Sequence, residues 1–335
     1  MRRILFLLVL FSFTACQQEK SKKMQTYTGF ALGTDYQLKF FSEEKLDLQT
    51  EIDSIFEVVN NSMSTYQDDS DISKINAGDS SIVVDEMFKI VFLKSKEIHE
   101  NTFGYFDPTV GDLVNLYGLG PKKMEVKVDS TAIDSLMNFV GLDKVSITTE
   151  NKISKKYMET VLDFNGIAKG YAVDLLGFLL EKKGVENYLA EIGGEIRSKG
   201  KNLASGKYWR LGIDDPRIET NPNELQGVVE LRNKSLATSG NYRKFKYDSI
   251  TGEKYNHIID PTSGYTKKVN MLSVSVLAED CATADAYATA FMAMGIEKSK
   301  QVAEKQKDID VFFIYDEKGE LKTYLSKGFE EVLTK

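Results

Sequence analysis

The chain has 335 residues, of which 42% are hydrophobic and 28% are charged, and its formal net charge is −7. This acidic balance argues against a nucleic-acid-binding surface, and an anionic ligand would need local help from a metal ion, a lysine or backbone N–H groups. The length is sufficient for one large domain or two lobes with a substantial apolar core.

The N-terminus predicts an export signal. Met1-Arg2-Arg3 is a short basic start, residues 4–13 are apolar apart from Ser12, and two small residues precede Cys16. This order is typical of a secretory signal, and the apolar run is too short for a permanent transmembrane helix. A cysteine after two small residues resembles a bacterial lipobox, so residues 1–15 are predicted to be a signal peptide. The alternative is an ordinary secreted protein cut near Ala15.

Cys16 is predicted to carry lipid, with acyl chains such as palmitate, and more than one chain would make the anchor stable. The other cysteine is Cys281, so no disulfide is expected. Residues 16–25 are predicted to form the lipidated tether, and residues 26–335 are predicted to form a single domain. The predicted location is the periplasmic side of a bacterial cell envelope, with the protein anchored by lipid to the inner or outer membrane.

Apolar periodicity predicts elements along the rest of the chain. A bent strand or hairpin covers residues 26–41, and helices cover residues 46–60, 87–100, 168–183 (stopped by Gly184) and 283–294 (stopped by Gly295). Strands are predicted at residues 161–164, 188–192, 208–213, 228–231, 272–277 and 309–315, and a hairpin turn at 317–319. No regular βαβ rhythm relates them, which favours an α+β fold over a doubly wound sheet.

Four segments are dense in Gly, Asp and Thr where a core would need apolar side chains: residues 104–111, residues 162–170, residues 191–195, and residues 238–240 together with 257–264. Each could be a tight turn. Several such segments in one chain, most of them containing an acidic residue or a lysine, favour a ligand site, because glycine allows close backbone approach.

Lys169 lies where a predicted strand, a tight turn and a helix N-terminus follow one another, which is a general anion-binding geometry. A lysine in a first helical turn is unfavourable in the helix dipole, and a bound anion would offset that cost. The alternative is a solvated lysine.

Asp285 and Thr289 are at positions i and i+4 of a helix whose other residues are mostly small or apolar, so they share a face of a buried helix. A buried carboxylate needs a partner. That partner is either a local N–H or hydroxyl group, or a hard cation bound by carboxylate, hydroxyl and carbonyl oxygens.

The chain contains two histidines. His99 lies on a charged helix and is predicted to be solvated. His257 lies at a strand end just before Asp260-Pro261, where a histidine can be either structural or catalytic, and the pattern alone leaves both possibilities open.

Taken together, these stretches resemble the ApbE family of FAD:protein FMN transferases, from about residue 29 to residue 295. The matching motifs are LGT (32–34), MSTY (63–66) with DISKIN (71–76), FDPTVG (106–111) with LVNLYG (113–118), LD (162–163) with GIAKGYAVD (166–174), IGGEI (192–196), ATSGNYR (237–243), HIIDP (257–261) with Gly264, and ADAYAT (284–289). Each motif is weak alone, and eight in the family's order are strong.

The resemblance implies an ApbE-like α+β fold with mixed or antiparallel sheets and packed helices, in two lobes around an FAD cleft. The positions that match the family's flavin and adenosine contacts are Leu32, Tyr66, Tyr105, Phe106, Asp107, Asp163, Lys169 and Ile259. Those that match its Mg²⁺ ligands are the carbonyl of Gly166 and the side chains of Asp285 and Thr289. His257 matches the histidine proposed to assist proton removal from the acceptor.

The activity that the resemblance implies is Mg²⁺-dependent transfer of FMN from FAD to a threonine or serine hydroxyl of an exported or membrane redox protein, with release of AMP. The expected partners are FAD, an acceptor flavoprotein with a short Thr-containing motif, and the membrane through the lipid anchor, with no nucleic acid. Two alternatives remain open: an FAD pyrophosphatase that uses water as the acceptor, and a flavin-binding lipoprotein without catalysis.

Overall fold

A computed structural model describes residues 21–216, 225–240, 245–247, 254–256, 258–266 and 269–334. Cys16 and His257, the predicted lipidation site and the predicted base, lie outside these ranges. Within them, no helix combines the length and the apolar character that crossing a bilayer would need.

The helices are α1 (Gln49–Met63), α2 (Asp71–Asn76), α3 (Glu86–Asn101), α4 (Gly111–Leu116), α5 (Ser130–Met137), α6 (Ala168–Lys182), α7 (Cys281–Met294), α8 (Ile296–Ala303) and α9 (Lys327–Glu330). The strands are β1 (Lys23–Ala31), β2 (Thr34–Ser42), β3 (Val145–Ile147), β4 (Ile153–Lys155), β5 (Tyr188–Ile192), β6 (Glu195–Lys199), β7 (Lys201–Asn202), β8 (Lys207–Asp214), β9 (Leu225–Leu231), β10 (Ser235–Gly240), β11 (Phe245–Tyr247), β12 (Lys254–Asn256), β13 (Met271–Ala278), β14 (Asp310–Glu317), β15 (Glu320–Leu325) and β16 (Leu333–Thr334).

Eight of the described strands form one antiparallel sheet in the order β1-β2-β5-β6-β10-β13-β14-β15. A smaller antiparallel sheet has the order β16-β9-β8-β7. Helices α6 and α7 pack on one face of the large sheet, and α1 and α3 pack against these two helices. The α+β architecture with antiparallel sheets that the sequence predicts is confirmed.

Both faces of the inner strands of the large sheet are buried. Neighbouring residues of a strand point to opposite faces, so Phe40 joins the core under the helices while Phe41 joins a second core with Trp209 of β8 and Phe329 of α9. A fully buried Phe side chain stabilises the fold by about 2 kcal/mol. This two-sided burial makes the sheet a rigid platform for the loops at its ends.

Two hairpin loops meet at one end of the sheet. Ala31 pairs with Thr34, and Ile192 pairs with Glu195, so each loop has two central residues. The N–H of Gly193 donates to the carbonyl of Asp35 at 3.0 Å. A Cβ on Gly193 would lie 2.6 Å from Cγ2 of Thr34, so a larger residue would force the two loops apart.

Most predicted elements are confirmed with boundary shifts of a few residues. The helices stopped by glycine end as expected, since Gly184 and Gly295 have φ values of +77° and +75°. Lys318 and Gly319, with φ values of +57° and +87°, form the turn between β14 and β15.

The strand predicted at residues 161–164 is wrong. This segment is a loop with one isolated bridge between Val161 and Val110. The Asn76 side chain satisfies both backbone groups of Leu162, at 2.8 Å each, and the Asp163 N–H donates to the Pro108 carbonyl at 2.7 Å. Because a side chain and a neighbouring loop supply these partners, the segment needs no strand beside it.

Candidate active site

A cleft with a volume of about 1130 Å³ opens beside the two hairpin loops. Its lining includes all eight positions that the resemblance assigns to FAD: Leu32, Tyr66, Tyr105, Phe106, Asp107, Asp163, Lys169 and Ile259. Gly166 and Thr289 also line it, whereas Asp285 lies one helical turn before Thr289 and is 5% exposed. The structure therefore gathers these positions at one place, and their individual roles stay predictions.

Leu32 lies in the loop between β1 and β2 with φ +51°, followed by Gly33 with φ +77°. Two successive positive φ values are typical of a two-residue type I′ hairpin turn. A leucine in this conformation is strained, and such strain clusters at functional sites. The turn presents Leu32 to the cleft, and Tyr66, which is 65% exposed, lies at the cleft rim.

His99 contacts two residues of the cleft wall, Phe106 and Asp107. Its Nδ1 lies 2.9 Å from the carbonyl oxygen of Phe106 and 3.6 Å from Oδ2 of Asp107. The prediction that His99 is a solvated surface residue is wrong, since only 23% of its side chain is exposed. The helix pattern of α3 does not reveal this, because the partners belong to the following loop.

Asp107 is 8% exposed and is held in a tight local turn. Its Oδ1 accepts hydrogen bonds from the N–H and the hydroxyl of Thr109, at 2.8 and 2.6 Å. Burial raises the pKa of this carboxyl, and the Thr109 hydrogen bonds oppose the rise. The orientation of Asp107 is therefore fixed before any ligand binds.

Asp163 is positioned by the loop that Asn76 holds. Its Oδ1 accepts a hydrogen bond from the N–H of Asn165 at 2.8 Å, and burial raises its pKa. Asn76 belongs to one of the matching motifs, but the sequence assigns it no role. Its two hydrogen bonds to Leu162 now identify it as the residue that fixes the entry to the segment carrying Asp163, Gly166 and Lys169.

Lys169 lies in the first turn of α6, as predicted, with 29% of its side chain exposed. Its ammonium group forms an ion pair with Glu195, whose side chain is 6% exposed. Burial would lower the pKa of Lys169, but the carboxylates of Glu195 and Asp285 raise it above its ordinary value. The lysine is therefore a cation at the cleft wall.

Asp285 connects α7, which carries it and Thr289, to α6, which begins two residues after Gly166. Its Oδ2 accepts a hydrogen bond from the N–H of Gly170 in α6 at 3.0 Å. Nearby, Asp174 accepts hydrogen bonds from the N–H groups of Cys281 and Ala282 at 2.9 Å each, at the start of α7. These contacts fix α7 against α6 and so set the position of Asp285.

The predicted metal ligands are compatible with one hard cation. A Cβ on Gly166 would lie 3.2 Å from Oγ1 of Thr289, so these two positions adjoin each other. Among the described residues, no three His, Cys, Asp or Glu side chains are grouped to hold a metal ion. The protein would thus supply few ligands, which suits Mg²⁺, because this ion usually keeps several waters and binds substrate phosphates.

The turn that follows residue 257 is formed as the sequence predicts. The N–H of Gly264 donates to the carbonyl of Asp260 at 2.8 Å, and Asp260 Oδ1 accepts from the N–H of Thr262 at 2.9 Å. Ile259, 7% exposed, packs in a small apolar cluster with Leu113 of α4 and Ile133 of α5. The backbone on the C-terminal side of residue 257 is therefore well supported.

Comparison with known proteins agrees with this arrangement. The model of the ApbE family matches residues 32–313, which is most of the chain. The chain belongs to the ApbE family. The predictions of this family and of a flavin-transferase enzyme are confirmed.

Curated ApbE relatives cover nearly the whole chain. The FAD:protein FMN transferase of Vibrio cholerae serotype O1 is 37% identical over 327 residues, with 95% of each chain covered. That of Escherichia coli K12 is 30% identical over 350 residues, which is 99% of this chain and 97% of the relative.

Solved structures agree as well. The flavin transferase ApbE from Vibrio cholerae has a TM-score of 0.83 and 36% identity, covering 93% of this chain and 100% of that one. The apo flavinyl transferase ApbE from Pseudomonas stutzeri has a TM-score of 0.83 and 31% identity, with coverages of 93% and 97%.

Proposed function

We propose that this ApbE chain transfers FMN from FAD to a threonine or serine hydroxyl of an exported or membrane redox protein and releases AMP. The observation that carries the proposal is the convergence of Gly166 and Thr289 with the eight predicted FAD positions, Lys169 among them, in one cleft. The cleft is large enough for a drug-sized or larger ligand.

In the proposed reaction, the acceptor oxygen forms a bond to the phosphorus of the FMN half of FAD. The pyrophosphate bond on that phosphorus breaks, and its electron pair leaves with AMP. The hydroxyl proton is taken up by a base. Catalysis at phosphorus depends mainly on positioning and on stabilisation of charge, and Lys169 is the cation that the described cleft offers for this purpose.

We propose Mg²⁺ as the cofactor, held by the carbonyl of Gly166 and the side chains of Asp285 and Thr289. When bound, it would neutralise charge on the pyrophosphate. The charges around the cleft support a metal ion: Asp107 and Asp163 line the cleft, Asp285 is adjacent, and Lys169 already forms an ion pair with Glu195. An anionic ligand would meet too little positive charge without a metal ion.

We propose His257 as the base, on the strength of the family match and of its place in the chain. It follows β12 directly, and the next two residues, Ile258 and Ile259, line the cleft. A neutral imidazole can accept the hydroxyl proton in the transition state.

The test is to incubate the purified protein with FAD and Mg²⁺, with and without a recombinant domain of a membrane redox subunit that contains the Thr motif, and to measure AMP. AMP that forms only with the acceptor domain, together with flavin fluorescence on that domain in a denaturing gel, is the expected result. AMP without the acceptor would indicate an FAD pyrophosphatase, and no AMP in either sample would indicate a binding protein.

The acceptor class and the location are proposed together. A lipid on Cys16 and a tether that ends where β1 begins, at Lys23, would hold the domain on the periplasmic side of the inner or outer membrane, next to exported redox subunits. Comparing flavin fluorescence in denaturing gels of envelope proteins, with and without the gene, would identify the acceptor. An unchanged pattern would contradict the proposal.

A further inference from the structure

Lys169 is the one positively charged side chain among the described residues that line the cleft. A lysine has four rotatable side-chain bonds, so its ammonium group can occupy many positions unless a partner restricts it. The partner in this structure is Glu195, which does not itself line the cleft. The ammonium group at the cleft wall is therefore oriented by a buried carboxylate that lies outside the cleft.

Glu195 lies on a rigid part of the fold. It is the first residue of β6 and pairs with Ile192 of β5 in the large sheet. The loop before it is fixed by the Gly193 N–H to Asp35 hydrogen bond and by the close approach of Gly193 to Thr34. Functional groups that are supported from strands or helices are positioned more precisely than those supported from loops.

Of the carboxylates around Lys169, Glu195 is the one that contacts the ammonium group directly. Asp285 also acts on Lys169 through its charge, but its Oδ2 already accepts the Gly170 N–H. Asp174 is engaged with Arg197, at 2.8 Å, and with the start of α7. Among these carboxylates, the ion pair with the Lys169 ammonium is made by Glu195.

We propose that Glu195 is a positioning residue for FAD cleavage, whose ion pair with Lys169 holds the ammonium group at the part of the cleft wall where the pyrophosphate binds. This inference rests on the proposed role of Lys169 in the transfer reaction. Glu195 acts through Lys169 and does not need to touch FAD. A small displacement of a charge that stabilises the transition state reduces turnover more than binding of the ground state.

The experiment is a double-mutant cycle on the full-length protein, with FAD, Mg²⁺ and the acceptor domain. Glu195→Gln is expected to lower kcat about tenfold, with an FAD dissociation constant within about threefold of the wild-type value. Lys169→Met is expected to lower kcat at least as much. The combined variant is expected to match Lys169→Met within about twofold, because two residues that act as one unit are not additive.

The matched control is Glu181→Gln. Glu181 also forms ion pairs, with Arg197 at 3.3 Å and Lys199 at 3.1 Å, but it lies near the far end of α6. Its variant should keep wild-type turnover and should not couple to Lys169→Met. Thermal unfolding of each variant reports folding, and if Glu195→Gln does not fold, Glu195→Asp should give the same selective loss of kcat, because its shorter side chain holds Lys169 less closely.

Three outcomes would overturn the inference. Wild-type turnover in Glu195→Gln, with a loss in Lys169→Met, would leave the ion pair with a structural role only. Multiplicative losses in the combined variant would mean that Glu195 acts independently of Lys169. Full turnover in Lys169→Met would remove the role of the lysine itself, whereas absence of AMP formation by the wild-type protein would instead contradict the proposed function.

Discussion

Asp285 of α7 accepts a hydrogen bond from the backbone N–H of Gly170 in α6, at 3.0 Å. This contact exists because the two helices approach closely at Gly170. A Cβ on that residue would lie 2.4 Å from the carbonyl oxygen of Cys281 and 2.9 Å from Cβ of Asp285. The helix that carries Lys169 and the helix that carries Asp285 and Thr289 are therefore held at one separation.

Gly170→Ala should disturb this separation. The added methyl group meets backbone atoms of α7, which cannot rotate away, so we expect a loss of about 1–3 kcal/mol in the free energy of unfolding and a loss of transfer activity that exceeds the loss of folded protein. Gly212→Ala in β8 is the control: its Cβ would meet the terminal methyl groups of Leu225, an exposed side chain that can move. Equal stability and equal activity of both variants would contradict a tight contact at Gly170.

Asp285→Ala should abolish Mg²⁺-dependent transfer and leave part of the FAD binding, because the predicted ring and adenine contacts lie elsewhere in the cleft. The measurements are AMP release across a Mg²⁺ titration and FAD binding by flavin fluorescence. Asp316→Ala, near the end of β14, removes a carboxylate that does not line the cleft and should behave like the wild type. Normal turnover of Asp285→Ala without added metal would refute the assignment of the metal site.

The confirmed parts of the fold are those that depend on local pattern. Helix α7 is predictable because its small and apolar residues form a continuous run that ends at Gly295, which has a positive φ. The same pattern predicts that Asp285 is buried, and the structure places it there at 5% exposure. The local sequence pattern therefore predicts both helix α7 and its buried carboxylate, Asp285.

The parts that could not be predicted depend on contacts between distant residues. Asn76 binds the backbone of Leu162, 86 positions away, and so replaces the predicted strand by a loop. Glu195 meets Lys169 across 26 positions. His99 meets the loop after its own helix. No spacing rule along the chain encodes these pairs, because the tertiary fold brings them together.

Glu191→Gln should change the pH dependence of stability. Burial raises the pKa of Glu191, while the charge of Lys39 opposes the rise. Because the pKa of Glu191 is higher in the folded protein than in the unfolded chain, its contribution to stability is complete below the pKa of the unfolded chain, about 4.3. That contribution is lost as the pH rises through the pKa of the folded protein. Glutamine does not titrate, so the variant should equal the wild type near pH 4 and exceed it by at most about 1 kcal/mol at pH 8.

The measurement is denaturant unfolding of both proteins from pH 4 to pH 8. Glu181→Gln provides a comparison of opposite sign. Burial would raise the pKa of Glu181, but hydrogen bonds from Tyr188 and Lys199 and nearby positive charges lower it overall. The contribution of Glu181 to stability is therefore present above the pKa of the unfolded chain and is lost as the pH falls through the pKa of the folded protein. Glu181→Gln should accordingly be less stable than the wild type at pH 8. Identical pH curves for all three proteins would contradict both assignments.

Cys16→Ser should release the protein from membranes and leave its chemistry unchanged, since the tether contains none of the predicted site residues. Membrane fractionation of cells and mass spectrometry of the N-terminus are the measurements. Cys281→Ser is the matched control, because Cys281 is fully buried in α7 and cannot anchor the protein. Soluble wild-type protein with an unmodified Cys16 would refute the lipid anchor.

His257→Ala should lower turnover by about 10²–10⁴-fold if His257 is a general base. The FAD dissociation constant should change little, because a base for the acceptor hydroxyl need not contact the dinucleotide strongly. The other histidine offers a contrast: His99→Ala removes the contact to the Phe106 carbonyl behind the cleft, so it should weaken FAD binding more than it lowers kcat. Steady-state kinetics and fluorescence titrations of both variants separate the two effects.

The pH profile gives His257 a second test. A general base must be unprotonated, so wild-type activity should fall as the pH drops through the range in which an ordinary histidine titrates, near about 6.5. The small residual activity of His257→Ala should lack this limb. The backbone after residue 257 is supported by hydrogen bonds among residues 260–264. The variant should therefore also fold normally. A His257→Ala protein with the full transfer rate and impaired folding would instead make the residue structural.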